Sequence, residues 1–270
     1  MDFAKLFSLE GRVAVVTGGS RGIGRMIAEG FIAAGCERVY ITARKAAVVE
    51  ETAAELGERC IALPGDISSA GGIAALVEDL SHRESKLDIL VNNAGVAWGA
   101  EFEDFPEMGW DKVMNLNVKT PFFLTQQLHG LLKAAAASEN GDRPAKVINV
   151  ASIDGLRINA WETYSYQASK AALVQLTKRM AARLIRDNIV VSAICPGAFA
   201  SEMNKAAANN PEGSARGIPA KRIGNLEDMA GGAIYLASRA GDYIVGTPLP
   251  IDGGIVNGWI AEDHISPLGA

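Results

Sequence analysis

Cysteine, histidine, proline and positive charge are all scarce in this chain. Cys36, Cys60 and Cys195 are odd in number, scattered, and set in apolar or strand-like surroundings. That excludes a disulfide framework and zinc-ligand spacing, and reads as buried thiols in a reduced, cytoplasmic compartment. His82, His129 and His264 stand far apart in the sequence, and no metal is assigned to them. Ten prolines against 29 glycines exclude a proline-rich linker protein and point to many tight turns. No run approaches the ~20 apolar residues of a membrane span. The first ten residues lack a basic start followed by an apolar run, so no signal peptide is expected. Lys plus Arg number 26 against 31 Asp plus Glu, a net charge of −5. A broad nucleic-acid or anionic-membrane face is therefore not expected, although one small basic pocket is still allowed.

What is present is apolar and regularly arranged. Hydrophobic residues make up 49% of the 270 residues, enough for one large core and far from the composition of a disordered chain. Short β-branched runs at 13–16, 39–42, 61–63, 89–91, 147–150 and 190–194 alternate with helical patterns at 26–34, 48–56, 73–80, 110–137 and 168–185. A last strand is expected at 247–251, and Ala134–Ala137 reads as a helix end running into a loop at 138–143. Strand–helix alternation implies right-handed βαβ units, and near-continuous apolar strands imply burial on both faces. The expected fold is α/β: a single Rossmann-like, doubly wound parallel sheet of about seven strands with helices on both faces. With no linker, composition break or internal repeat, 1–270 reads as one domain.

The first strand runs into Thr17-Gly18-Gly19-Ser20-Arg21-Gly22-Ile23-Gly24, and a helix follows. Glycines there let backbone approach a ligand, and the helix N-terminus offers unpaired N–H groups to a pyrophosphate. The spacing is neither G-x-G-x-x-G nor a P-loop. Gly18, Ser20, Arg21, Gly22, Ile23 and Gly24 are the candidate contacts. An NAD site usually places an acid at the end of the second strand. Here that strand ends Ala43-Arg44-Lys45. Arg44, Lys45 and Arg21 suit the 2′-phosphate of NADP(H), because a guanidinium grips phosphate with a planar fork.

Tyr166 and Lys170 lie one helical turn apart on one face. An ammonium there favours a phenolate and makes Tyr166 usable as a general acid or base. Tyr164 has Ala168 in the corresponding place. With Asp66 after the third strand, Asn92-Asn93-Ala94-Gly95, Asn117, Ser152, Pro196-Gly197 and Ile251-Asp252-Gly253-Gly254 in order, the chain resembles the short-chain dehydrogenase/reductase family from about Leu9 to Gly254. The segments 93–100 and 110–114 look particularly like bacterial β-ketoacyl reductases of the rhamnolipid-pathway type. The resemblance implies an NADPH-dependent reduction of a ketone to an alcohol. Tyr166 would donate the proton, Ser152 would bond the substrate oxygen, Lys170 would hold the nicotinamide ribose and lower the Tyr166 pKa, and Asn117 would support a proton relay. It further implies cofactor contacts at Asp66, Ile67, Asn93, Ala94, Gly95, Pro196, Gly197, Phe199 and Ser201, and a homo-oligomer, tetramer or dimer.

Ser152 and Tyr166 are 14 apart where many family members have 13, which reads as an extra loop residue within 154–161. The polar stretch 201–219 is expected to form a lid. Trp98, Asp154, Leu156, Trp161, Phe199 and Met203 are the candidate substrate-facing residues, and the apolar 255–260 and the long 110–137 helix are candidate interface pieces. Two other readings stand beside this one. An NAD(P)-dependent alcohol, polyol or sugar dehydrogenase working oxidatively would share the proton chemistry; its NAD form calls for an acid near Arg44. A cofactor-sensing regulator without turnover calls for loss of Tyr166 or Lys170, and both are present.

Overall fold

Along strand β1 (Val13–Thr17) successive side chains go to opposite faces of a sheet, and both faces are apolar. Ala14 and Val16 join one buried cluster, Val13 and Val15 another. Val39 and Ile41 against Tyr40, and Ile89 and Val91 against Leu90, divide in the same way. A strand buried on both faces cannot alternate polar with apolar, which is why these segments read as continuous hydrophobic runs. A computed structural model describes residues 1–137 and 143–258. Ser138 to Asp142, His264 and the end of the apolar tail at Ile260 lie outside the described residues.

The chain runs α1 (Phe3–Phe7), β1, α2 (Gly22–Ala33), β2 (Arg38–Ala43), α3 (Ala46–Leu56), β3 (Cys60–Pro64), α4 (Ala70–Arg83) and β4 (Ile89–Asn92). It continues through α5 (Glu107–Met114), α6 (Thr120–Gln127), α7 (His129–Ala136), β5 (Ala145–Val150), α8 (Tyr164–Leu184) and β6 (Ile189–Pro196). The last elements are α9 (Lys205–Asn209), α10 (Pro211–Ala215), α11 (Leu226–Ala237) and β7 (Pro248–Ile251). Seven parallel strands lie in the order β3-β2-β1-β4-β5-β6-β7. Ile27 and Phe31 of α2 and Met229 and Leu236 of α11 cover one face; Leu80 of α4, Leu124 of α6 and Met180 of α8 cover the other. The chain winds outward from β1 to β3 and then restarts at β4 on the far side of β1. That reversal opens a crevice at the carboxyl ends of β1 and β4, where ligands bind in doubly wound sheets.

The continuous helix expected over 110–137 is corrected. α5 passes through a π-helical turn, Asn115–Lys119, before α6, and a further break at Leu128 separates α7. Pro121 in the first turn of α6 is one physical cause. It has no N–H, so the Asn117 carbonyl loses its ordinary α-helical partner. The Thr120 hydroxyl donates to the carbonyls of Asn115 (3.1 Å) and Ile67 (2.9 Å), tying this turn to the segment after β3. No helix among the described residues is long and apolar enough to cross a membrane.

Candidate active site

Thr17, the last residue of β1, ties the two central turns together. Its hydroxyl donates to the Val91 carbonyl (3.2 Å) and accepts from the N–H groups of Asn93 (2.9 Å) and Ala94 (3.0 Å). The Asn93 side-chain amide donates to the carbonyls of Thr17 (2.8 Å) and Gly18 (3.1 Å). Asn93, expected as a cofactor contact, thus holds the glycine turn with its side chain. Gly18 and Gly22 have φ of +66° and +53°, a region costly for other residues. At Gly24 a Cβ would sit 2.3 Å from the Gly18 carbonyl oxygen and 2.4 Å from the Asn93 amide nitrogen. The N-terminus of α2 has no side-chain cap, so its first-turn N–H groups are left to an anion such as pyrophosphate. Bare backbone and an uncapped helix suit a dinucleotide.

The expected basic cluster is assembled differently. Arg44 and Lys45 are exposed at the end of β2 and the start of α3, and Lys45 makes no side-chain cap there. Arg21 instead forms an ion pair with Glu202 of the 201–219 segment, both side chains being about two-thirds exposed. Asp66 accepts from the Ser68 N–H at 3.1 Å. Hydrogen bonds from Ser68, with the charge of Arg44, lower its pKa below the usual carboxylate value. Ile67 is buried, and its carbonyl accepts from Thr120. The Ser20 carbonyl accepts from Thr52 at 3.1 Å.

Across the crevice, α8 presents Tyr166 and Lys170. Lys170 is buried, its ammonium donates to the Val150 carbonyl at 2.8 Å, and its Nζ lies 5.6 Å from the centre of the Tyr166 ring. Burial lowers the Lys170 pKa to about 8. Tyr166 is half-buried, and burial pushes its phenol up to about 12, with a hydrogen bond from Ser152 working to lower it and Asp154 to raise it. Ser152 supplies a lowering influence on the phenol, and desolvation outweighs it. Ser152 is buried and accepts from the Asp154 N–H at 3.1 Å. Tyr164 turns away, donating to Glu162 (3.0 Å) and packing its ring on Phe102 and Phe105.

Asn117 is fully committed through its side chain. Its amide accepts from the Val96 N–H (2.9 Å) and donates to the Val96 carbonyl (2.9 Å) and Ser169 hydroxyl (3.0 Å). Ser169 in turn donates to the Tyr166 carbonyl at 2.7 Å. Sequence reasoning passed over Thr17 and Ser169 as supports, because their partners are remote in the chain and no local pattern marks them. Gly95 sits where a Cβ would be 3.2 Å from the Asn117 amide oxygen and 3.6 Å from the Lys170 ammonium. With the amide occupied, the Asn117 carbonyl, deprived of its ordinary α-helical donor by Pro121, is the candidate group for the expected relay.

One expected substrate or cofactor contact is committed elsewhere. Phe199 is buried in the core, with its ring packed over Gly224, where a Cβ would meet it at 2.3 Å. Trp98 lies flat on Gly109 of α5, with the Lys112 ammonium 5.5 Å from the ring centre. Gly197 is bare because β7 follows it closely: a Cβ would stand 2.7 Å from the Asp252 Cα. Ser201 does approach the glycine loop, its Cβ 3.3 Å from a Cβ built on Gly22. Leu156 packs against the small cluster around Leu173 and Val174, while Trp161 and Met203 are exposed.

A family model described as enoyl-(acyl carrier protein) reductase matches residues 18–256. The chain is 47% identical over 253 residues to a Pseudomonas aeruginosa rhamnolipids biosynthesis 3-oxoacyl-[acyl-carrier-protein] reductase, covering 92% of this chain and 97% of that one. The chain belongs to the short-chain dehydrogenase/reductase family. A solved Pseudomonas aeruginosa RhlG/NADP active-site complex superposes with a TM-score of 0.89 at 46% identity, covering 93% of this chain and 99% of the other. A 2-dehydro-3-deoxy-D-gluconate 5-dehydrogenase of Escherichia coli K12 is 38% identical over 263 residues, 95% of this chain and 98% of its own. Members of the family interconvert carbonyl and alcohol groups by hydride transfer.

Proposed function

We propose that the protein is an NADPH-dependent ketone reductase, with 3-oxoacyl thioesters as its substrate class. The observation that carries this is the convergence of the Ser152 hydroxyl, the Tyr166 phenol and the buried Lys170 ammonium beside an uncapped helix N-terminus. When bound, NADPH supplies the hydride. Gly18, Ser20, Arg21, Gly22, Ile23, Gly24, Ala94 and Gly95 would hold its phosphates and adenosine half, with Asp66 and Ile67 at the adenine and Arg44 and Lys45 at the 2′-phosphate. Pro196, Gly197 and Ser201 would flank the nicotinamide, and Lys170 would hold its ribose.

Ser152 donates a hydrogen bond to the substrate carbonyl oxygen and fixes it against the phenol. Tyr166 gives its proton to that oxygen as negative charge develops there. The Lys170 ammonium favours the resulting phenolate, and Asn117 supports reprotonation. Residues 201–219 act as the lid. The working form is a cytoplasmic homo-oligomer, a reading supported by Trp110 on α5 and Phe122 and Phe123 on α6, all exposed.

The test is NADPH oxidation followed at 3-oxoacyl thioesters, β-keto esters and keto-sugar acids. Thioesters should be the best substrates, and preference for keto-sugar acids would favour the second reading, a sugar-acid dehydrogenase like the 38%-identical relative. Tyr166→Phe should lower kcat by about 10²–10⁴-fold, the range of one general acid, while leaving the NADPH Kd within a factor of about 3. Undiminished turnover would show that the acid is another group.

A further inference from the structure

The turn Ile153–Gly155 is pinned at both ends to the catalytic residues. At its start the Asp154 N–H donates to the Ser152 hydroxyl at 3.1 Å. At its end Gly155 lies so close to α8 that a Cβ there would be 2.6 Å from the backbone carbonyl of Lys170. The backbone of Asp154 is held between these two anchors. It is half-buried, and its charge acts on both Tyr166 and Lys170. Its negative charge disfavours the Tyr166 phenolate. The reacting carbonyl oxygen must come to Ser152 and Tyr166 together, so a substituent next to that carbonyl enters the field of this carboxylate.

We propose that Asp154 sets the charge selectivity of the cleft, turning away substrates with a carboxylate close to the reacting carbonyl and reserving the site for uncharged ketones. This rests on the ketone-reductase reading and deepens it, because it separates acyl thioesters and esters from sugar acids on a physical ground. A carboxylate a few ångströms from Asp154 meets like-charge repulsion in a partly desolvated site, where each charge–charge contact is worth an order of magnitude or more in binding. Glu162, at the mouth of the same loop and bonded to Tyr164 (3.0 Å), adds charge of the same sign. Arg157, exposed on that loop, carries the opposite sign.

A pair of probes tests the effect: ethyl acetoacetate and acetoacetate, which share the ketone and differ in one negative charge and one ethyl group, so that the change of their ratio on substitution of Asp154 reports the charge. With NADPH, the wild-type enzyme should favour the ester in kcat/KM. Asp154→Asn should raise kcat/KM for acetoacetate relative to that for the ester by about tenfold, whatever change the two substrates share. Asp154→Glu, which keeps the charge, should keep the discrimination, and added salt should weaken it. An unchanged ester-to-acid ratio in Asp154→Asn overturns the proposal, as does a wild-type preference for the acid, which would mean that Arg157 governs the mouth. A wild-type enzyme that reduces neither probe nor any 3-oxoacyl thioester overturns the reductase reading itself.

Discussion

Tyr166 and Lys170 show how burial and charge compete at single residues. Removing the phenol and the ammonium from water disfavours the ionised form of each, so the phenol rises to about 12 and the ammonium falls to about 8. Both directions have a consequence for the pH dependence of the reaction. A phenol at about 12 stays protonated through the neutral range and is ready to donate, so Tyr166 imposes no limb on reduction near pH 7. Lys170 is charged below about 8 and loses its proton above it. The kcat/KM for NADPH, which reports groups of the free enzyme, should be flat below pH 8 and fall with a limb near 8. Oxidation of the alcohol needs the phenolate and should climb with pH instead. A reductive profile that rises through pH 8 would show that the Lys170 charge is dispensable. Tyr166 and Lys170 were legible because one helical turn separates them, whereas the pull of Asp154 on both becomes visible only once the Ile153–Gly155 turn is placed.

At the scale of elements, local composition located the seven strands and the helical stretches from α2 to α8, but not α11 (226–237), nor the interruptions between α5, α6 and α7. The β-branched runs found β1 to β6, whose central members are buried on both faces, while the strand expected at 247–251 matches β7, a half-buried Pro-Leu-Pro-Ile. The 110–137 segment was read as one helix because its apolar spacing persists through the break; the break depends on Pro121, Asn117 and Thr120 acting together. Pro121→Ala restores an N–H to the Asn117 carbonyl. It should leave folding stability equal or higher while slowing turnover by about tenfold, the weight of one ordinary hydrogen bond. Unchanged kcat would remove that carbonyl from the mechanism. The partnership of Arg21 with Glu202 was equally out of reach of local pattern, because the two stand on separate elements far apart in the chain. An exposed pair of this kind is worth no more than about 1 kcal/mol. Glu202→Gln frees Arg21 for a 2′-phosphate and should tighten the NADPH Kd by up to about fivefold at low salt. NADH, lacking that phosphate, should bind as before, and an equal change in both cofactors would place Glu202 elsewhere in the binding step.

On the scale of the whole molecule, ionisable groups gather at both ends of the sheet, with opposite fates. Those at the carboxyl ends of the strands face the crevice. Those at the amino ends are locked together: Arg12 pairs with Asp88 (3.2 Å) and donates to the Pro144 carbonyl (2.7 Å), while Asp88 also accepts from the Val13 N–H (2.9 Å). Beside them Lys146, on β5 and almost wholly buried, pairs with the partly exposed Asp242 at 2.8 Å. Phe199 misled sequence reasoning for a related reason, since an aromatic beside a glycine turn reads equally as site wall or as core until the sheet is assembled. Desolvation lowers the Lys146 pKa to about 8 from the usual 10.5. Between those values the unfolded chain binds the extra proton, so this group adds stability as pH rises from about 8 to 10.5. A buried pair is weak evidence for stability, because the desolvation cost offsets the attraction. Lys146→Met, which keeps the volume and removes the ammonium, should therefore leave stability at pH 7 within about 1 kcal/mol or raise it. Asp242→Asn leaves the ammonium buried without its counter-charge and should cost about 3 kcal/mol at pH 7, with much of the loss recovered by pH 10 as Lys146 gives up its proton. Urea unfolding of the two variants at both pH values decides the matter: equal losses in both, insensitive to pH, would mean that the pair stabilises the fold as an intact ion pair.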